Sequence, residues 1–299
     1  MRINIISTST SSLNTSNNGA NVQGDEMVAR AWHKYMSRDS RVSEIYLNGS
    51  TDTSYDVSIA FSPLVECTSG YKVLYLQNVF PKPHWPGTVG MFHSVANNYN
   101  NFIFPSDGLK NECHSDGLVC QFAVDEEIFY PKQPADNLRH NLCFVGNNIR
   151  DAVSLNKYLL CVADMGLVIY GNPQGWNSNL CHGKISVEDE ATLYSSAKIC
   201  LNAHLTEHLN YGSFNFRIFN ILACKGFIIS DSSIFLNHEF SNSIVFTEGF
   251  YDLREKISFY LNNPDETLPF RENGYMHVLK YHTFKHRTTS IIDWLERLI

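Results

Sequence analysis

The apolar residues of this chain fall into short runs bounded by Gly, Pro, Asn, Asp and Ser. Between the runs lie longer segments whose apolar positions recur every three or four residues. The first pattern marks buried strands and the second amphipathic helices. Residues 2–8 read as a strand, and 9–24 as a loop rich in Ser, Asn and Gly. In 25–35 (DEMVARAWHKY), Met27, Ala31 and Tyr35 share one helical face, and Asp25 and Glu26 suit the positive end of the helix dipole. Residues 42–47, 57–61 and 72–77 are further strands, as is 101–104, which ends in the turn Pro105-Ser106-Asp107-Gly108 before a helix. Strands alternating with helices predict a parallel sheet with crossover connections.

A polar stretch with two prolines, 130–141 (YPKQPADNLRHN), reads as a linker. Beyond it the alternation starts again. Strands are predicted at 142–145, 167–170, 197–201, 227–230 and 244–246, with helices at 151–164, 186–196, 214–224 and 251–261. Two open α/β sheets joined by one linker are expected to turn their carboxyl ends toward a cleft, where such sheets bind ligands.

Composition narrows the possibilities. The 299 residues fit two domains, and 23 basic against 30 acidic side chains give a formal charge of −7. That balance argues against a general nucleic-acid binder, while leaving room for one local basic pocket. The apolar runs are far shorter than the roughly 18–20 residues that span a bilayer. The N-terminal MRINIISTST has neither the apolar core nor the cleavage site of a signal peptide, so the expected location is cytoplasmic. Eight cysteines without a CxxC pair, most of them inside apolar runs, are expected as buried thiols rather than disulfides. There is no D-x-D motif and no His/Cys cluster, so the sequence offers no metal site.

Two segments carry chemistry. Phe144-Val145-Gly146-Asn147-Asn148-Ile149-Arg150 is a strand turning through glycine into a helix. Backbone N–H groups at such a turn bind phosphate, and Arg150 adds a fork of donors; an ordinary βα turn needs the same glycine. The second segment, 215–231, is an amphipathic helix with Arg217 and Asn220 one turn apart, a Lys225-Gly226 stop and a buried strand. An arginine in an otherwise apolar helix needs an anionic partner, either a ligand or a nearby acid.

RIFNILACKGFIISD (217–231) resembles the R-x-F-E-x-L-A-C-G-G-F-x-L-x-[ST]-D segment of CgeB/YkvP-type glycosyltransferases, a branch similar to the group 1 enzymes of the GT-B fold. FAVDEEIFYP (122–131) is similar to their "GVDTELFRP" junction, and Ile169-Tyr170-Gly171 to their "IYG" strand end. LYSSAKICLN (193–202) resembles "LY-x-x-A-K-I-x-L-N", and His282-Thr283-Phe284 with Arg287 matches "HTY-x-x-R". The resemblance is strong from about residue 122 onward and weak before it.

The resemblance implies two Rossmann-like domains: an acceptor-side domain at 1–133, a nucleotide-sugar-binding domain at 134–275, and a helical segment at 276–299 crossing back to the first. TTSIIDWLERLI (288–299), amphipathic and short, fits that return better than membrane attachment. It also implies that Gly146, Asn147 and Arg150 lie near the donor phosphates, Tyr170 and Gly171 border the nucleoside, and Arg217 faces the diphosphate. The loop HLTEHLNYGSFN (204–215) would wrap the donor, with His204 at the strand end and Ser213 and Asn215 offering hydrogen bonds. One departure stands out. Where group 1 enzymes often carry two glutamates eight positions apart, this chain has Gly212 and Asn220. The departure implies either a donor that differs from the group's usual one or an impaired site.

In the first half, Gly19, Ala20 and Asn21 are weakly similar to the "GGAE" turn that approaches the donor; a flexible polar loop is the alternative. His93 stands near where related enzymes place a cleft histidine, with His84 a weaker candidate and a structural role the alternative for both. Asp25 and Glu26 are candidate general bases or plain helix-start acids. The expected function is metal-independent transfer of a sugar from a nucleotide-sugar donor to a saccharide or other hydroxyl acceptor in glycan biosynthesis. No cofactor is expected, no nucleic-acid partner, and at most peripheral membrane contact. The alternatives are a non-catalytic sugar-nucleotide or glycan-binding module and a GT-B sugar-nucleotide epimerase.

Overall fold

The computed structural model describes residues 1–7, 24–51, 53–63, 65–67, 69–77, 87–148 and 158–299. They form two compact α/β units, one drawn from Met1 to Phe122 together with Phe284–Ile299, the other running Ala123–Thr283. The boundary at Phe122–Ala123 falls before the proline-containing stretch of 130–141.

The first unit holds an all-parallel sheet in the order β2-β1-β3-β4-β5-β6. Its strands are β1 (Arg2–Ile6), β2 (Glu44–Leu47), β3 (Val57–Ala60), β4 (Tyr71–Tyr75), β5 (Asn101–Phe104) and β6 (Leu118–Val119). Ile3, Ile5, Val57, Ile59 and Val73 are fully buried, as strands covered on both faces require. Helix α1 (Gly24–Met36) seats Trp32 against Tyr75 and Phe61, with ring centroids 4.8 and 4.9 Å apart. Helices α2 (Thr88–Val95) and α3 (Asp107–Glu112) follow, and the Ser106 hydroxyl caps α3 by accepting from the Leu109 N–H.

The second unit contains β7 (Leu142–Val145), β8 (Leu167–Tyr170), β9 (Ile199–Asn202), β10 (Ile228–Asp231) and β11 (Val245–Thr247). They pair in parallel in the order β11-β10-β9-β7-β8. The chain leaves β7 for β8 on one side and then returns to β9 on the other. β7 and β9 therefore flank the switch point, outside which open α/β sheets bind their ligands. The core joins Leu142, Phe144, Ile169, Ile199, Leu201, Phe227 and Ile229 to Leu253 and Ile257.

Among the described residues this unit adds six helices in sequence: α4 (Val187–Ser196), α5 (Thr206–Tyr211), α6 (Phe216–Ala223), α7 (Ile234–Phe240), α8 (Phe250–Asn262) and α9 (Leu268–Tyr281). Strand β9 starts at Ile199 rather than 197 because the Ala197 N–H still donates to Leu193, closing α4. Helix α9 has no apolar stripe to read from sequence, since only Gly274 and Val278 are buried along it. A Cβ at Gly274 would lie 2.4 Å from Leu222 of α6, so the glycine permits the close approach of these two helices.

The last helix, α10 (Phe284–Leu295), belongs to the first unit. It packs on α1, buries Ile291, Ile292 and Leu295, and places Asp293 and Glu296 at 2.6 and 3.0 Å from Arg41. Its Arg287 donates to the Gln121 carbonyl at 2.9 Å. All eight cysteines are unpaired. Among the described residues, no helix is long and apolar enough to cross a membrane.

Candidate functional site

Strands β10, β9 and β7 are neighbours, and their carboxyl ends supply one continuous polar network. Arg217, in the first turn of α6, bridges the ends of β7 and β9. Its Nε donates to the Val145 carbonyl at the end of β7, and Nη1 donates to Asn202 Oδ1 at 2.8 Å and to the Ala203 carbonyl at 3.3 Å. The guanidinium lies 4.3 Å from the Phe144 ring centroid, a cation–π contact. Desolvation pulls its pKa below the usual arginine value, against the opposing pull of Tyr194, Glu190 and Asp231. An arginine so shifted still carries its charge at neutral pH.

Nη2 is the remaining guanidinium nitrogen, and it makes no hydrogen bond among the described residues. It points past Gly146, where a Cβ would sit only 2.6 Å away. The absence of a side chain at Gly146 thus leaves room for this donor.

From Asn202 the network runs on. Its Nδ2 donates to Ser230 Oγ at 2.9 Å, and that hydroxyl donates to Asp231 Oδ1 at 2.9 Å. Asp231 also accepts from the His204 ring Nδ1 at 2.7 Å and from the His204 backbone N–H at 2.6 Å. Burial pushes the Asp231 carboxyl up, but His204 and the hydrogen bonds from it and Ser230 outweigh this and leave it below the ordinary aspartate value. With Nδ1 held by the carboxylate, His204 keeps Nε2 buried and without a hydrogen-bond partner among the described residues. Asn215, at the head of α6, donates to the Ala203 carbonyl at 3.2 Å while its own Oδ1 is likewise buried and unpartnered. Buried polar atoms are nearly always satisfied, so such orphans beside an unengaged cationic donor make this the candidate ligand site.

The β7 and β8 ends close the other side. The Gly146 N–H donates to the Tyr170 carbonyl at 2.8 Å, and its carbonyl accepts from Trp176 Nε1 at 3.1 Å. Asn147 Oδ1 accepts from the Asn172 N–H at 2.8 Å. A Cβ on Gly171 would lie 2.0 Å from the Gly146 carbonyl oxygen, which only glycine avoids. The Tyr170 hydroxyl meets His140 Nε2 at 3.1 Å.

These residues therefore sit together: Gly146, Asn147, Tyr170, Gly171, His204, Asn215 and Arg217. Ser213 is buried just after α5, its N–H donating to the His208 carbonyl. Asn220 is buried on the inner face of α6, facing Glu190 of α4, and its Nδ2 makes no hydrogen bond among the described residues. Burial raises the Glu190 carboxyl above its usual value, against the Tyr194 hydroxyl, which donates to it at 2.7 Å, and the charge of Arg217. Asp25, Glu26 and His93 belong to the first unit. Asp25 and Glu26 start α1, where Glu26 is buried and ion-paired with Arg30 at 2.8 Å; His93 is exposed in the last turn of α2. Gly19, Ala20, Asn21, His84 and Arg150 lie outside the described residues.

Residues 152–293, which carry most of this network, match the family described as glycosyl transferase-like. Spore protein CgeB of Bacillus subtilis (strain 168) is 33% identical over 106 residues, which is 32% of this chain and 32% of that protein. The whole chain superposes on glycosyltransferases of the GT-B fold. Sucrose-phosphate synthase from Thermosynechococcus elongatus aligns with a TM-score of 0.72 at 10% identity, over 100% of this chain and 99% of its own. HepE of Anabaena, in complex with UDP and glucose, gives 0.73 at 11% identity, over 99% and 100%. T4 phage BGT, in complex with UDP-glucose, gives 0.62 at 13% identity, over 99% of each chain. The two parallel-sheet α/β units are thus a GT-B architecture.

Within the glycosyl transferase-like segment, the sequence pointed to Arg217 and His204 but assigned nothing to Asn202, Ser230, Asp231 or Glu190. The first three close the "LN" and "SD" strand ends, a position that earns attention once the strands are known to be parallel neighbours. The sequence also shows no metal-ligand cluster, yet the fold brings Glu239, His277 and His282 of this unit within reach of one another.

Proposed function

We propose that the chain transfers a sugar from a nucleoside-diphosphate-sugar donor to a saccharide or other hydroxyl acceptor, as a cytoplasmic enzyme of glycan biosynthesis that needs no cofactor. The observation that carries this is the Arg217 guanidinium, anchored by Nε and Nη1 to two strand ends with Nη2 left to bind an anion. In the reaction the bond from the anomeric carbon to the diphosphate breaks, the nucleotide leaves with the electron pair, and the acceptor oxygen bonds the carbon as its proton departs. Fixed positive charge beside the leaving diphosphate lowers that barrier, so Arg217 takes the part that a cation plays elsewhere. His204 Nε2 and Asn215 Oδ1 are placed to meet hydroxyls or phosphate of the same donor. Gly146, Asn147, Tyr170, Gly171, Ser213 and Asn220 shape that pocket. In the first unit, Asp25, Glu26 and His93 are the side chains to test for accepting the acceptor's proton, Glu26 being ion-paired with Arg30.

Similarity to proteins held with UDP-glucose makes that compound the first probe. A panel of nucleotide sugars is assayed for nucleotide release with and without candidate glycan acceptors. Release that requires an acceptor supports transfer. Donor turnover without an acceptor supports an epimerase instead, and binding without turnover supports a sugar-nucleotide-binding module, the reading favoured by the missing carboxylates at Gly212 and Asn220.

A further inference from the structure

Away from the strand ends, three ligand-type side chains of the second unit converge on one point. Glu239 comes from α7, His277 from the last half of α9, and His282 from the residue that ends α9. Glu239 Oε1 lies 3.1 Å from His277 Nε2 and 2.9 Å from His282 Nε2, and the two ring nitrogens are 3.2 Å apart. Tetrahedral zinc bonds of roughly 2.0–2.1 Å set neighbouring ligand atoms about 3.3 Å apart. The observed triangle is within a few tenths of an ångström of that face.

Hydrogen bonding alone serves these groups poorly. With both rings protonated at Nε2, one carboxylate oxygen would take both N–H groups and the two Nε2 hydrogens would crowd each other across 3.2 Å. A cation in the centre removes the conflict: each imidazole moves its proton to Nδ1 and offers the Nε2 lone pair.

The surroundings fix the rings in place. Phe240, fully buried, has its ring 5.5 Å from that of His277 and 5.6 Å from that of His282, and Phe219 lies 5.3 Å from His282. Side chains locked by packing make a preorganised site. Glu239 and His277 remain 34% and 26% exposed, so an ion can enter and a fourth position stays open to water. Two imidazoles and one carboxylate suit a first-row transition ion, zinc above all, rather than calcium or magnesium, which favour all-oxygen shells.

We propose that Glu239, His277 and His282 form a divalent transition-metal site, with Zn2+ the fitting ion, that ties α7 to the end of α9. The position gives it a purpose. The His282 carbonyl accepts from the Val124 N–H at 2.9 Å, and Thr283 pairs with Val124, so the ion secures the point where the chain enters and leaves the second unit. The inference stands on this geometry and not on the glycosyl-transfer reading.

The test is zinc titration of the full chain, stripped with a chelator, against a chromophoric competitor, together with Co2+ spectra and thermal unfolding. The variants His277→Ala and Glu239→Gln are measured alongside, each checked for fold by circular dichroism. The expected result is one tight equivalent in the wild type, at least about 100-fold weaker binding in each folded variant, and a zinc-dependent rise in Tm that both variants lose. If His277→Ala does not fold, Glu239→Gln decides. Zinc binding that survives unchanged in the variants belongs to the free thiols and overturns the proposal, as does a wild type that binds no zinc.

Discussion

Arg217 and His204 are the two ends of one hydrogen-bonded chain. It runs from the guanidinium through Asn202, Ser230 and Asp231 to the imidazole, each link between 2.7 and 2.9 Å. Each end keeps one nitrogen unengaged among the described residues, Nη2 on Arg217 and Nε2 on His204. A network of this kind orients both groups before any ligand arrives, which is how a binding site avoids the entropy of ordering its own side chains.

Asp231 is the link most open to test. Its folded pKa lies below the ordinary 3.8, so its stabilisation is complete above that value and is lost as pH falls through the lower folded value. Asp231→Asn is expected to destabilise the fold by about 1–3 kcal/mol at about pH 6. Urea melts should show the gap to wild type closing as pH falls below the ordinary aspartate value of 3.8. A gap that widens on acidification contradicts the assignment.

The glycines give a sharper contrast. Gly146→Ala sets a methyl 2.6 Å from Arg217 Nη2 and 2.9 Å from the Phe144 ring, so it should weaken donor binding by roughly tenfold or more while the fold survives. Gly171→Ala drives a methyl to 2.0 Å from the Gly146 carbonyl and should destabilise by about 1–3 kcal/mol. Isothermal titration with UDP-glucose and urea denaturation separate the two effects.

The parallel alternation was legible because buried strands carry their signal in composition: 101–104, 142–145 and 167–170 match β5, β7 and β8 residue for residue. Strand β6 has two residues and α9 two buried positions, too few to leave a pattern. Arg217 was legible as a charge in an apolar helix. Asp231 was not, since an acid closing a strand looks like any turn residue until His204 is placed beside it. The Glu239, His277 and His282 cluster was invisible for the same reason, its members being distant in sequence or set at a spacing that fits no familiar metal motif.

Gly212 and Asn220 show why the usual pair of glutamates cannot simply be restored. Gly212 has φ +69° and a Cβ there would strike the Phe235 ring at 2.7 Å. Asn220 is 2% exposed against Glu190, whose carboxyl burial already raises. Gly212→Glu and Asn220→Glu are each expected to lower stability by more than about 1 kcal/mol and to give no gain in nucleotide release. Higher turnover in either variant contradicts this account of the site.

Donor binding by Arg217 variants tests the central claim most directly. Calorimetry compares wild type, Arg217→Lys and Arg217→Ala with UDP-glucose and with whichever nucleotide sugar the panel finds best, each variant first checked for fold. Loss of a charge-assisted bond to phosphate is worth about 1.5–3 kcal/mol, so the predicted result is roughly 10- to 100-fold weaker binding in Arg217→Ala, with Arg217→Lys between. Unchanged affinity in a folded Arg217→Ala protein would contradict it.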